Sequence, residues 1–113
     1  IPKSDEKMLT GIPISPGHFE GEVVVVKGYK DFHKVKEGCV LIIPFSDVGW
    51  MPILTKAGAI VSESGGMLSH ASIIARELGI PAIASVDYAC NVKDGTHVKL
   101  DCNNGSILIQ KSP

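Results

Sequence analysis

One stretch constrains the fold more than any other. Between residues 59 and 86 a short apolar run, two glycines, a capped helix and a second apolar run follow one another. Residues 59–62 (AIVS) have the length and composition of a buried strand, and Gly65 and Gly66 then break the chain. Ser69 carries the hydroxyl that caps a helix N-terminus, and residues 70–78 contain neither glycine nor proline. Ile74 and Leu78 stand four apart on one helix face, and Gly79 followed by Pro81 is a stop signal. Residues 81–86 (PAIASV) return as a strand. Strand, glycine turn, helix, strand is the order of a βαβ unit, so the spacing predicts an α/β domain.

The rest of the chain adds mostly strands. Residues 21–27 (GEVVVVK) are β-branched, and residues 39–45 (CVLIIPF) form an apolar run stopped by Pro44. Residues 47–56 place Val48, Met51, Ile53 and Leu54 near helical spacing behind Ser46 or Asp47 as a cap, which predicts a short helix. Residues 96–100 and 106–109 flank Asn104 and Gly105, a pair that tolerates the positive φ of a hairpin turn. The 113 residues suffice for one domain, taken as residues 11–110. The polar segments at residues 1–10 and 111–113 read as linker stubs of a domain cut from a longer protein, with a short free-standing protein as the alternative.

Composition excludes several classes of function. Eleven basic against twelve acidic residues, a formal charge of -1, give no overall field for nucleic acid or an anionic membrane. No apolar run approaches the roughly 20 residues of a membrane-spanning helix. Cys39, Cys90 and Cys102 are odd in number and lack a CxxC spacing, which reads as three reduced thiols in a cytoplasmic protein, with a disulfide between two of them as the alternative. His18, His33 and His97 stand alone and suggest no metal site.

Chemistry concentrates in residues 65–76 (GGMLSHASIIAR). Gly65 and Gly66 let backbone amides approach an anion, and the helix that follows offers unpaired N–H groups and a positive dipole end. His70 sits at the lip of this cradle. Neutral imidazole is a nucleophile near neutral pH, and the phosphoramidate it forms remains a good phosphoryl donor. The residues by themselves fit a phosphoryl-accepting histidine or a structural one. Ser69 reads as a cap alone, or as a cap that also orients the ring or touches a phosphoryl oxygen. Arg76, about 240 degrees around the helix from His70, is expected to pair with the domain body or a partner. Ser62, Glu63 and Ser64 read as a polar strand end or as substrate or magnesium contacts, Ile73, Ile74 and Leu78 as core, and Trp50 as a core anchor more than a docking residue.

Residues 65–83 (GGMLSHASIIARELGIPAI) resemble the phosphohistidine signature of the phosphoenolpyruvate-utilising enzymes. That family includes pyruvate phosphate dikinase, phosphoenolpyruvate synthase, enzyme I of the bacterial sugar phosphotransferase system and the rifampicin phosphotransferases. The matching positions are Gly65 and Gly66, His70, Ala71 and Ser72, Ile73 and Ile74, and Arg76. Weaker resemblance covers residues 11–21 (GIPISPGHFEG) and 94–109. Leu68 departs from the threonine usual in the dikinase and enzyme I, and is similar to the apolar residue of rifampicin-phosphotransferase-like members.

The resemblance implies a swivelling β/β/α phosphohistidine domain in which His70 carries a phosphoryl group as part of a larger transferase. It implies ATP and Mg2+ on a separate ATP-grasp domain, none bound by this domain, and a third domain holding an acceptor such as pyruvate or another small molecule. Both domains are expected on the same polypeptide, with no nucleic-acid or membrane partner. The alternatives are a non-catalytic swivelling module with a binding or regulatory role, and a phosphocarrier fed by phosphoenolpyruvate, as enzyme I is.

Overall fold

Residues 6–67 and 69–110 are described by the computed structural model. The remainder of the expected linker stubs, residues 1–5 and 111–113, and Leu68 lie outside the described residues. In chain order the elements are β1 (Glu6–Thr10), β2 (Ile12–Ser15), β3 (His18–Val25), β4 (Val40–Ile43), α1 (Met51–Leu54), β5 (Ala59–Ser62), α2 (His70–Leu78), β6 (Ala82–Ala84), β7 (His97–Asp101) and β8 (Ser106–Gln110). Short 3-10 segments lie at Tyr29–Lys34, Val48–Trp50 and Ala89–Asn91.

The strands form one sheet in the order β1-β8-β7-β3-β4-β5-β6-β2. β3 joins its two halves. His18 to Glu22 pair antiparallel with β7, whereas Val23 to Val25 pair parallel with β4. β4, β5 and β6 continue in parallel, and β2 closes that edge antiparallel to β6. β4 and β5 are apolar without alternation because both of their faces are covered. Val24, Leu41, Ile43 and Ile60 pack on one face with Trp50, Leu54, Ala71 and Ala75 from the helical layer. Val23, Val25, Val40, Ile42 and Val61 pack on the other with Val98, Leu100 and Ile107 from the antiparallel half. The layers are therefore β, β and α, the α/β class expected. Fully burying an aliphatic side chain such as Leu41 contributes roughly 1.5–3 kcal/mol.

Three details depart from the expectation. Residues 6–10, read as linker from their polarity, are the edge strand β1, paired along its length with β8. Charged side chains are what an edge strand facing water carries, so polarity did not distinguish it from a tether. The helix expected over residues 47–56 shrinks to one 3-10 turn and α1, with Pro52 in the first turn of α1 and Asp47 Oδ1 accepting from the Gly49 amide at 2.9 Å. Of the residues assigned to the core of α2, Ile74 is partly buried, but Ile73 and Leu78 are exposed. The packing face is Ala71, Ser72 and Ala75, whose small side chains let α2 lie close on β2, β5 and β6. Trp50 is buried, as expected of a core anchor, in a cluster with Tyr29, Phe32 and Phe45.

Candidate functional site

α2 starts and stops where its sequence dictates. Ser69 is the N-cap, its Oγ accepting from the Ser72 amide, and Gly79 closes the helix at φ 71 with its amide bonded to the Ala75 carbonyl. His70 is thus the first helical residue. It is partly buried, and its Nδ1 is buried with no hydrogen-bond partner. Nε2 is then the nitrogen left to meet an incoming group.

The loop ahead of His70 is held from several directions. Gly65 has φ +90, and a Cβ there would lie 2.8 Å from the Ser69 Cβ, so both backbone and packing require glycine. Gly66 differs: a Cβ there would meet nothing within 4 Å, and its surroundings are open. The Ser85 hydroxyl donates to the Gly65 carbonyl at 2.5 Å, and the Ser72 hydroxyl donates to the Gly66 carbonyl at 2.7 Å. Ser69 donates in turn to Ser72 Oγ at 2.9 Å. A hydroxyl has one proton, and in this chain of hydroxyls that of Ser69 is committed to Ser72.

Arg76 makes no ion pair among the described residues. Its Nη2 donates to the Met67 carbonyl at 2.5 Å. Helical side chains lean toward the N-terminus, so a long one at the seventh position reaches back over the first turn, which counting degrees around the helix does not reveal. Ser62, Glu63 and Ser64 are also taken up by the body of the domain. Ser62 Oγ donates to the Ser64 carbonyl, Ser64 Oγ to the Pro44 carbonyl, and Glu63 Oε2 accepts from the Cys90 amide at 2.8 Å. These bonds make the three residues a brace for the exit of β5. Sequence reasoning missed Ser85 altogether. The signal was faint: a serine four residues past Pro81, just beyond the end of a strand.

The other histidines lie elsewhere. His97 Nε2 is 2.6 Å from Glu20 Oε2 and His18 Nε2 is 3.5 Å from Asp101 Oδ1, both on the β3 and β7 pair, and His33 is exposed. The His97 hydrogen bond holds the Glu20 carboxyl below its usual range. No three His, Cys, Asp or Glu side chains among the described residues are grouped as metal ligands. All three cysteines are free and buried, and burial pushes the Cys90 and Cys102 thiols up to about 12, which leaves them inert as nucleophiles. No described helix is long and apolar enough to cross a membrane. An open cleft of about 540 Å³, lined by Glu22, Lys34, Glu37 and Asp94 among others, includes neither His70 nor the glycine loop.

Comparison with known proteins gives the family of the chain. The family model described as "PEP-utilising enzyme, mobile domain" matches residues 35–105, which include the glycine loop and the whole of α2. A probable phosphoenolpyruvate synthase of Staphylothermus marinus is 43% identical over 108 residues, covering 92% of this chain and 13% of that protein. A rifampicin phosphotransferase of Bacillus cereus is 34% identical over 102 residues, 89% of this chain and 12% of that protein. The chain thus spans about an eighth of the length of the curated relatives it matches. Among solved structures, an enzyme I protein superposes with TM-score 0.58 at 25% identity, over 69% of this chain and 33% of that one. Aconitase X of Thermococcus kodakaraensis shares the fold at TM-score 0.66 and 20% identity, over 93% of this chain and 99% of that one.

Proposed function

This chain belongs to the family of mobile domains of phosphoenolpyruvate-utilising enzymes, and from that premise we propose that His70 accepts a phosphoryl group and passes it on. The observation that carries the reading is the geometry of the imidazole. His70 opens α2 behind a glycine loop, with Nδ1 buried and Nε2 left as the reactive nitrogen. In the forward step the Nε2 lone pair forms an N–P bond as the P–O bond of the donor breaks, and the departing oxygen keeps the bonding pair and takes up the proton the ring gives up. In the second step an acceptor oxygen attacks phosphorus and the N–P bond breaks. The amides of the loop and of the first turn of α2 favour the charge on the phosphoryl oxygens.

The donor in this reading is ATP, held with Mg2+ on an ATP-grasp domain of the same polypeptide. This domain then swings to a third domain where pyruvate or another small molecule waits. The short share of its relatives that this chain spans supports such partners, and the cytoplasm is the compartment where the donor is found. The relatives' names, phosphoenolpyruvate synthase and rifampicin phosphotransferase, point to different acceptors, so acceptor choice belongs to other domains. Alone the chain turns nothing over.

Labelling tests the proposal. The parent enzyme is incubated with ATP labelled at the β or γ phosphate, or with labelled phosphoenolpyruvate. The expected result is an acid-labile, base-stable label that His70→Ala abolishes. Label from the β position identifies dikinase chemistry, and label only from phosphoenolpyruvate identifies the enzyme I type of donor. No label on the wild type, or equal label on the variant, would leave a non-catalytic module and overturn the reading.

A further inference from the structure

Three successive carbonyls of the loop leading into α2 are each taken by a side chain from elsewhere. The Gly65 carbonyl accepts from Ser85, the Gly66 carbonyl from Ser72, and the Met67 carbonyl from Arg76. The donors lie 20, 6 and 9 residues along the chain from the carbonyls they hold. In a trans peptide the carbonyl and the next amide point in opposite directions, and no described peptide bond is cis. Turning the Gly65 and Gly66 carbonyls toward Ser85 and Ser72 therefore turns the Gly66 and Met67 amides away from them. Neither amide has a hydrogen-bond partner among the described residues.

Ser85 adds a second observation. It leaves β6 at φ 56, a left-handed conformation that residues with a Cβ seldom adopt. That conformation accompanies a hydroxyl 2.5 Å from the Gly65 carbonyl. Arg76 is exposed on α2, yet its guanidinium is spent on a carbonyl rather than on a carboxylate.

We propose that Ser85, Ser72 and Arg76 are positioning residues for phosphoryl transfer at His70, acting through the backbone. By fixing three carbonyls they hold the loop so that the Gly66 and Met67 amides stand free to receive the phosphoryl oxygens. Charge-assisted bonds to fixed amides stabilise such a group more than bonds to a loop that must first reorganise. The inference rests on His70 being the phosphoryl acceptor.

Potassium phosphoramidate, a small phosphoryl donor, tests it without need of ATP or of a donor domain. Nε2 of His70 supplies the electron pair for the new N–P bond, the reagent's own P–N bond breaks, and ammonia departs carrying the proton the ring gives up. The readouts are the rate of phosphohistidine formation and the amide proton and nitrogen shifts of Gly66 and Met67. In the wild type both amide protons should move downfield on phosphorylation. Ser85→Gly removes the hydroxyl while keeping a backbone free to adopt φ 56. Arg76→Met removes the guanidinium and keeps an aliphatic stem.

Each variant should lose the downfield movement and react about tenfold more slowly, a smaller loss than removing an anion-binding donor itself. Signals of residues away from the loop should stay in place. Arg76→Lys, which retains an N–H donor, should recover part of the rate. Wild-type rates and shifts in Ser85→Gly and Arg76→Met would overturn the proposal alone. Failure of the wild type to react at His70 would overturn the carrier reading and the proposal together.

Discussion

Two glycine turns of this molecule use their polar side chains in opposite ways. In the hairpin between β7 and β8, Gly105 has φ 83, and the neighbouring side chains accept from backbone amides. Asp101 Oδ1 takes the amides of Asn103 and Asn104 at 3.0 and 3.3 Å, and Asn104 Oδ1 takes that of Ser106 at 3.1 Å. Every one of those partners lies within three residues. In the loop before α2 the side chains donate to carbonyls, and two of the donors come from well outside the loop. The hairpin side chains consume amides of their own turn, with Asn103 Oδ1 also accepting from the Gly17 amide, whereas the loop consumes its carbonyls and leaves amides over. Only the second arrangement can serve an anion, and it needs the rest of the fold to exist.

The largest effects should come from the glycines on which each turn depends. Gly65→Ala and Gly105→Ala both force a Cβ into a left-handed position, the first against Ser69 and the second against the Gly11 carbonyl. Each should lower stability by about 2–4 kcal/mol in urea titration. The comparison separates them by function. Gly65→Ala should also slow phosphorylation of the molecules that remain folded, and Gly105→Ala should not.

Next in size is Asp101→Ala, which strands two hairpin amides and should cost about 1–2 kcal/mol without altering the reactivity of His70. An equal loss of His70 reactivity would break the distinction between a local turn and a tertiary one. Gly66→Ala should be milder, under about 1 kcal/mol by thermal melting, because a methyl group there meets open space.

The smallest effect concerns Asp94, which resembles the hairpin in giving a carboxylate oxygen to an amide, that of Val25 at 2.7 Å. Its other oxygen accepts from Lys34 Nζ at 2.8 Å, and that bond, above all, holds the carboxyl below its ordinary value. A depressed carboxylate stabilises the fold fully above the unfolded value, near 3.9. That contribution fades as pH falls below it and is gone once the folded value is passed. Lys34→Met should raise the Asp94 titration midpoint, read by NMR, and flatten this part of the acid stability curve. An unchanged midpoint would show that the Val25 amide suffices.

How far each part was legible follows the same division. Ser69 as cap, residues 70–78 as helix, Gly79 as stop and residues 59–62 as strand coincide with the observed elements, because capping, chain breaking and apolar runs act over a few residues. His70 and the two glycines stood out for the same reason. β1 escaped, since an exposed edge strand is polar and only its pairing with β8 distinguishes it. The burial of α2 through alanines rather than through Ile73 and Leu78 also escaped, since helix periodicity does not say which side the sheet lies on.

The sequence by itself determined the presence of a glycine loop, a capped helix and a histidine at its first position, because each rests on local backbone and side-chain chemistry. Only the tertiary structure decided that Ser85, from the end of β6, and Arg76, from the far end of α2, reach the carbonyls of that loop. The physical reason is that a hydrogen bond depends on distance in space. The packing of α2 against β5 and β6, and not the separation of 20 positions from Gly65 to Ser85, sets that distance.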